Sequence, residues 1–181
     1  MNIFYKRQGQ VEPGQMFFYT QTINGFYHLL KNDDFKMIII NSLKHLAHKK
    51  LIQVYGYVIM PNHFHLLWNI LENNGKESPA GSLAKFTAHQ FKKILKDIDI
   101  NLLHQFMSEK NDFKYQFWKA YPLAIPLSTI TIVEQKLDYI HNNPVQEKWQ
   151  LSLLPENYRW SNASFYENGY DEFGFLTHYR D

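Results

Sequence analysis

The sequence predicts an α+β fold of the ferredoxin-like (RRM-like) type, in which a mainly antiparallel four-stranded sheet carries helices on one face. Three observations predict it: short segments rich in aromatic and β-branched residues, amphipathic segments between them, and a tight turn between the two longest strands. The element order is β-α-β-β-α-β-α. The length of 181 residues predicts a single domain 1–181, with a core at about 15–145 and a loop-rich extension at 146–181.

Aromatic and β-branched residues mark four predicted strands. These strands cover residues 16–23, 51–60, 63–70 and 115–121. The first strand ends at Asn24-Gly25, a pair that is typical of turns. Pro61-Asn62 forms a tight turn between the second and third strands, and these two strands therefore form a hairpin.

Apolar residues at helical spacing mark the predicted helices. These helices cover residues 33–50, 83–95, 102–107 and 128–143, with a further short helix near 161–167. Asp33-Asp34 open the first helix, where the macrodipole favours anions. Ser128 or Thr129 caps the fourth helix, and Pro144 ends it because the residue before a proline avoids the helical region.

Composition excludes several classes of protein. The chain is 45% hydrophobic and 17% aromatic, which excludes a disordered chain. It has no cysteine, which excludes disulfides, thiolate zinc sites, iron–sulfur clusters and a cysteine nucleophile. No segment resembles a signal peptide or a membrane span, so a cytoplasmic protein is expected.

The net charge of +2 by itself argues against a uniformly basic nucleic-acid-binding domain. The charge is, however, unevenly distributed along the chain. Residues 1–119 carry 15 Lys and Arg against 9 Asp and Glu, whereas residues 120–181 carry 4 against 8. Four lysines of the second predicted helix contribute to the basic excess: Lys85, Lys92, Lys93 and Lys96. Such a run is usually only the solvated face of a helix.

Two histidines stand two residues apart on the third predicted strand. Because side chains alternate across a strand, His63 and His65 point to the same face of the sheet. Two adjacent imidazoles can bind one divalent metal ion, but such a pair is as typical of strand histidines that only make hydrogen bonds. A metal site needs a third ligand, which cysteine cannot supply here.

The helix at 128–143 carries a tyrosine that core packing does not explain. Its apolar stripe consists of Ile130, Val133, Leu137 and Ile140. Tyr139 lies about half a turn from the centre of this stripe, and Asn143 lies beside it, four residues later. Either Tyr139 is an ordinary exposed tyrosine, or it is a phenolic nucleophile that needs help from a metal or a base.

Three motifs resemble those of the HUH single-tyrosine transposases of insertion sequences. Residues 57–67 (YVIMPNHFHLL) resemble the metal-binding strand, and residues 139–145 (YIHNNPV) resemble the helix with the catalytic tyrosine. Residues 158–161 (YRWS) resemble a segment of one branch, the REP-associated tyrosine transposases. The resemblance spans roughly residues 15–165, and the first two motifs in this order are far more specific than a lone His-x-His.

The resemblance implies a transposase that cuts and joins single-stranded DNA beside a hairpin. It implies that His63, His65 and Asn143 bind Mg²⁺ or Mn²⁺. It also implies that Tyr139 is the nucleophile and forms a 5′-phosphotyrosine. The enzyme would act as a monomer, or as a homodimer in which the tyrosine comes from the other subunit.

Under the resemblance, the basic helix is a candidate for binding DNA phosphates through Lys85, Lys92, Lys93 and Lys96. Two further residues are candidates for DNA binding. Under the resemblance, Arg159 and Trp160 contact the foot of the hairpin or stack on an extruded base. For Trp160 the alternative is a core position that anchors the C-terminal segment. The family often has an acidic residue after the tryptophan of the fourth strand, where this chain continues from Trp118 as KAYPLAIP.

Two other functions remain open from the sequence. The first is a non-catalytic or domesticated protein that binds nucleic-acid hairpins, because such sheets in RNA-binding modules carry stacking aromatic residues on an open face. The second is a metal hydrolase that uses His63, His65 and a further histidine, with water rather than Tyr139 as nucleophile.

Overall fold

The computed structural model describes residues 14–108 and 114–181. Among these residues, four strands form one sheet: β1 (Met16–Thr22), β2 (Ile52–Met60), β3 (His63–Ile70) and β4 (Leu123–Pro126). The strand order is β2-β3-β1-β4, and each neighbouring pair is antiparallel. The predicted α+β class with a four-stranded antiparallel sheet is therefore confirmed.

Helices connect and cover these strands. They are α1 (Asp33–His48), α2 (Pro79–Ile98), α3 (Ile100–Gln105), α4 (Ile130–Asn142) and α5 (Ala163–Asn168). Of the two caps that the sequence allows for α4, Ser128 and Thr129, the structure has Thr129, whose side chain accepts a hydrogen bond from the backbone nitrogen of Ile132. The second helix begins earlier than predicted, since Ser78 caps it and Pro79 occupies its first turn. No helix in the described ranges combines the length and the apolar character that a membrane crossing requires.

The helices lie on both faces of the sheet, not on one face as the sequence suggested. We call the face that carries His63 and His65 the histidine face, and the other the Phe64 face. Helices α1 and α2 cover the Phe64 face, where Trp118 lies with its ring centroid 5.4 Å from that of Phe64 and 5.6 Å from that of Phe91 in α2. Phe91 in turn contacts Phe35 of α1. Helix α4 covers part of the histidine face.

The fourth strand is not where the sequence placed it. Residues 115–121 make one bridge to the end of β1, from Trp118 to Ile23, and β4 pairs with β1 only from Leu123 onward. The left-handed backbone of Tyr121 (φ 61°) interrupts the extended chain between these two contacts. The aromatic residues that predicted a strand are buried instead, since Phe117 and Trp118 belong to the hydrophobic core.

The segment after α4 covers the outer edge of β2. The Ile59 nitrogen donates to the Trp160 carbonyl at 2.8 Å, and the Asn162 nitrogen donates to the Tyr57 carbonyl at 3.1 Å. An uncovered strand edge is a site for unwanted pairing with other chains. The C-terminal segment removes this hazard and fixes its own position on the sheet.

Gly56 in β2 lets α4 approach the histidine face. A Cβ atom at Gly56 would lie 2.7 Å from Cδ2 of Leu137 and 2.9 Å from Cδ1 of Ile140, both in α4. Because these contacts are shorter than van der Waals distance, we expect Gly56→Ala to lower the free energy of unfolding by about 1–3 kcal/mol in urea titrations. Leu137→Ala should relieve the overlap, so the double variant should lose less than the sum of the two single losses. An unchanged stability of Gly56→Ala would contradict this packing.

Candidate metal and tyrosine site

The two histidines of β3 lie side by side with their ring centroids 4.8 Å apart. His63 Nδ1 is 2.7 Å from Oδ1 of Asn62, and His65 Nδ1 is 2.7 Å from Oγ1 of Thr20. Asn62 Oδ1 only accepts, so the proton of His63 is on Nδ1 and the Nε2 lone pair is free. This arrangement is typical of histidines whose tautomer is fixed for metal binding.

The environment keeps both imidazoles neutral. Burial and the charge of Lys148 lower the pKa of His63 to about 4. Burial, then the neighbouring His63 and Lys136, lower the pKa of His65 well below its usual value. A neutral imidazole is the form that binds a metal, and the two side chains are therefore ready to act as ligands at neutral pH.

One atom of this pair has no partner. His65 is 5% exposed, and its Nε2 atom is buried without a hydrogen bond. A buried polar atom left unpaired costs about 1–3 kcal/mol, and such an atom calls for an explanation. A divalent cation between the imidazoles would give His65 Nε2 the partner that it lacks, so the residues present fit a metal.

Tyr139 of α4 lies next to the histidine pair within one chain. Its ring centroid is 5.5 Å from that of His65 and 5.9 Å from that of Phe18 in β1, and the side chain is 44% exposed. The helix is held in this position by Leu137 and Ile140, which pack into the space that Gly56 leaves. The structure thus brings a solvent-accessible phenol beside the histidines.

Asn143 follows one turn after Tyr139, at the end of α4. It is 3% exposed, and its Nδ2 atom donates to the Tyr139 carbonyl at 3.3 Å. This bond directs the amide back along the helix. Among the described residues, no cluster of three His, Cys, Asp or Glu side chains is placed to hold a metal. Within the described part of the chain, the amide of Asn143 is the candidate for a third ligand that the sequence resemblance implies.

His141 anchors α4 to the outer edge of β2. Its Nε2 atom is 3.1 Å from Oδ1 of Asn162, which also accepts a hydrogen bond from the Tyr57 nitrogen at 2.8 Å. The Nδ2 atom of Asn162 donates to the Tyr55 carbonyl. Asn162 therefore joins the tyrosine helix, the C-terminal segment and β2 in one hydrogen-bonded unit.

Lys136 is a residue of the site that the sequence reasoning missed. Its Nζ atom lies 4.7 Å from the ring centroid of Phe18 and 5.6 Å from that of Tyr139. A lysine three residues before a tyrosine lies on the same side of a helix, and this spacing could have identified it. Lys136 places a positive charge beside Tyr139 and His65.

The four lysines of α2 are not brought together with the histidine pair. Lys85, Lys92, Lys93 and Lys96 are all exposed, but α2 packs on the Phe64 face. Lys85 is paired with Glu77. The thickness of the sheet separates these lysines from Tyr139, and DNA bound at the histidine face alone would not reach them.

Arg159 and Trp160 lie at the outer edge of β2. The Arg159 guanidinium is exposed and makes two hydrogen bonds to Oε1 of Glu172, at 2.8 and 2.6 Å. Trp160 is only 4% exposed and stacks on Phe173. Its ring cannot stack on a DNA base without leaving the core, so the structure corrects that expectation in favour of the core position.

We therefore expect Trp160→Ala to act on stability and not on DNA contacts. Loss of this buried ring should lower the free energy of unfolding by about 3–5 kcal/mol, measured by urea titration. Trp160→Phe should lose much less. Unchanged stability of Trp160→Ala would contradict the core position.

Comparison with known proteins extends the fold description. No family model matches this chain, and no curated protein is significantly similar to it. Among solved structures, one similar chain is a REP-associated tyrosine transposase bound to a REP hairpin, with a TM-score of 0.61 and 15% identity over 100% of this chain and 94% of that chain. The fold is that of a tyrosine transposase.

The tyrosine-transposase fold expected from the sequence motifs is thereby confirmed. A second similar chain is a candidate transposase from Deinococcus radiodurans, at 16% identity and a TM-score of 0.42, covering 76% of this chain and 95% of that one. This weaker likeness adds nothing to the fold assignment. At such low sequence identity a shared fold does not establish a shared activity. The evidence for function therefore has to come from the site.

Proposed function

We propose that this chain is a member of the HUH single-tyrosine transposases, of the REP-associated branch, and that it cuts and rejoins single-stranded DNA beside a hairpin. One observation carries the proposal: the exposed Tyr139 ring lies 5.5 Å from the ring of His65, whose Nε2 atom is buried without a partner. A nucleophile and a vacant ligand atom thus share one site. The similar fold of a tyrosine transposase bound to a REP hairpin supports DNA as the partner.

The metal ligands in this proposal are the Nε2 atoms of His63 and His65, with the Asn143 amide oxygen as the third protein ligand. Imidazole, amide and water ligands suit Mg²⁺ or Mn²⁺, and two imidazoles favour Mn²⁺ of the two. When bound, the cation supplies charge neutralisation at a non-bridging oxygen of the scissile phosphate. Asn62 and Thr20 hold the imidazoles in orientation through Nδ1.

The covalent step is a phosphoryl transfer to Tyr139. The phenolic oxygen forms a bond to phosphorus as the bond from phosphorus to the 3′ oxygen breaks. The phenolic proton ends on the departing 3′ oxygen. The products are a 5′-phosphotyrosine and a free 3′ hydroxyl, and attack by another 3′ hydroxyl reverses the step and joins strands. Since the phosphodiester bond energy is retained, no nucleotide cofactor is required.

Lys136 supports this step electrostatically in the proposal. Its ammonium group lies over the rings of Phe18 and Tyr139. A fixed positive charge there attracts the DNA backbone and stabilises negative charge on the phenolic oxygen during attack.

Two observations count against the alternative functions. A hydrolase with three histidines finds no support in residues 14–108 and 114–181, which contain no suitable cluster of three ligands. A binding module that stacks bases on an open sheet would need its aromatic residues exposed. Here α4 covers part of the histidine face, and Phe18 on that face is buried.

The proposal is tested by trapping the covalent product. The protein is incubated with Mn²⁺ and an oligonucleotide that contains a hairpin with single-stranded flanks, and the products are separated on a denaturing gel. A label at the 3′ end should move with the protein, whereas a label at the 5′ end should appear on a shorter free strand. Adduct that carries the 5′ label would contradict the stated polarity, and hairpin binding without any adduct would refute the catalytic proposal.

A further inference from the structure

A groove of about 540 Å³ opens beside the proposed catalytic site. The hairpin turn at Asn62 forms its floor, directly before His63. The loop after β1 contributes one wall with Phe26 and Lys31, and the segment after α4 contributes the other with Lys148 and Trp149. The volume falls in the range of roughly 300–1,000 Å³ that is typical of ligand sites. We call this cavity the turn groove.

Phe26 is an exposed aromatic residue in an unusual backbone conformation. Its side chain is 59% exposed, and its backbone is in the left-handed region with φ 58°. Hydrogen bonds from its own nitrogen to the Ile23 carbonyl (3.0 Å) and from Asn62 Nδ2 to its carbonyl (3.3 Å) hold it there. Glycine adopts this conformation without strain, whereas phenylalanine here is strained and more than half exposed.

Trp149 supplies a second aromatic surface on the opposite wall. Its ring centroid lies 5.9 Å from that of His63 and 5.9 Å from that of His28. The turn groove therefore borders His63 through Trp149, which lines it. A nucleotide bound in the turn groove would be a near neighbour of a phosphate held at the histidines.

The charge of the turn groove is positive. Lys31 and Lys148 line it, and Lys148 Nζ is 5.1 Å from the ring centroid of Trp149. Lys119 places its Nζ atom 3.2 Å from the ring centroid of Phe26. Among the described residues that line the turn groove, none is acidic. Aromatic faces combined with lysines are what proteins use to bind single strands, because bases stack and phosphates pair with cations.

We propose that the turn groove binds one or two unpaired nucleotides of the DNA strand next to the phosphate that Tyr139 attacks. A base stacks on Phe26 or Trp149, and the adjoining phosphates contact Lys31 and Lys148. This inference rests on the proposed function for the identity of the strand as DNA. It assigns binding of the flanking nucleotides to the loop after β1 and the segment after α4, rather than to the lysines of α2.

The test measures binding without catalysis. Tyr139→Phe protein without metal is titrated into a fluorescent hairpin oligonucleotide with single-stranded flanks, and the anisotropy gives the affinity. Phe26→Gly should weaken binding by roughly tenfold while it keeps or raises the melting temperature. Trp149→Ala should weaken binding by a similar factor, and Trp149→Phe by less. Tyr170→Ala, which removes a ring that is also exposed but lies elsewhere, should bind as the parent does.

Abasic oligonucleotides identify the nucleotide that is bound. If Phe26 or Trp149 stacks on one base, an oligonucleotide that is abasic at that position should bind more weakly. Phe26→Gly or Trp149→Ala should then cause little further loss of affinity for that oligonucleotide. For an abasic site at any other position, the loss of affinity from the variant and the loss from the abasic site should multiply. Lys31→Ala and Lys148→Ala should each reduce the slope of log affinity against log salt by about 0.7, whereas Lys49→Ala should leave it unchanged.

The inference is overturned if Phe26→Gly and Trp149→Ala both bind with parental affinity, or if their losses multiply with every abasic position. Neither result depends on metal or on cleavage, since the background lacks the Tyr139 hydroxyl. Failure of the covalent assay therefore leaves the turn groove supported by its own binding data, and failure of the turn groove leaves the covalent assay unaffected.

Discussion

Tyr139→Phe should abolish the covalent protein–DNA product and lower strand cleavage by at least about 10³-fold, because it removes the only atom in the proposed step that attacks phosphorus. The rest of the site should remain intact. The ring keeps its contacts with His65 and Phe18, and the hydroxyl belongs to a side chain that is 44% exposed. The melting temperature and the affinity for hairpin DNA should therefore match those of the wild type. Denaturing gels and anisotropy measure the two effects separately.

A matched control is Tyr170→Phe, which removes a hydroxyl from another exposed tyrosine. It should retain full adduct formation.

Mixing Tyr139→Phe with a histidine variant tests whether the tyrosine acts within its own chain. Because Tyr139 and His65 are neighbours in one chain, the mixture should form no adduct. Restored adduct in the mixture would mean that subunits exchange their tyrosines, and adduct of wild-type yield from Tyr139→Phe alone would eliminate this residue as nucleophile.

His65→Phe should abolish the response to Mn²⁺ and leave the metal-free protein nearly unchanged in stability. The phenyl ring can keep the stacking on Phe18, where the ring centroids of Phe18 and His65 are now 5.1 Å apart. It also replaces an Nε2 atom that is buried without a partner. We therefore expect the free energy of unfolding without metal to stay within about 1 kcal/mol of the wild type, because removal of the unpaired Nε2 atom offsets the loss of the hydrogen bond between Nδ1 and Thr20 Oγ1.

In the wild type, Mn²⁺ at about 100 times its dissociation constant should add about 2.7 kcal/mol to the free energy of unfolding. Urea titrations with and without Mn²⁺ measure this gain, and calorimetric titration measures the affinity directly. His65→Phe should show no gain and no adduct. His89→Ala, which changes an exposed histidine of α2 on the Phe64 face, should behave as the wild type does. If Mn²⁺ raised the free energy of unfolding of His65→Phe as much as that of the wild type, the cation would bind elsewhere.

Local sequence rules were sufficient for much of the candidate site. Strand alternation alone puts His63 and His65 on one face, and the structure places their rings 4.8 Å apart. The cap at Thr129 fixes the start of α4, and helical spacing then separates Tyr139 from the buried stripe. These features depend on neighbours within a few residues, for which backbone geometry is nearly fixed.

Features that depend on distant contacts were not predictable in the same way. β4 pairs with β1 only from Leu123 onward, after the left-handed Tyr121, whereas the aromatic segment before it predicts a strand whether or not a partner strand lies beside it. The burial of Trp160 depends on contacts with Phe173 and with the edge of β2, neither of which leaves a periodic signal near residue 160.

The sequence by itself determined the strand that carries the histidines, the helix that carries the tyrosine and the side of each element that these residues occupy. Only the tertiary structure decided that α4 lies on the histidine face, that the α2 lysines lie on the other, and that Phe26 and Trp149 face one groove. The physical reason is that periodicity defines which side of an element is apolar but not which face of the sheet that side covers. Here the small residue Gly56, which leaves space for Leu137 and Ile140, allows α4 to pack beside His65.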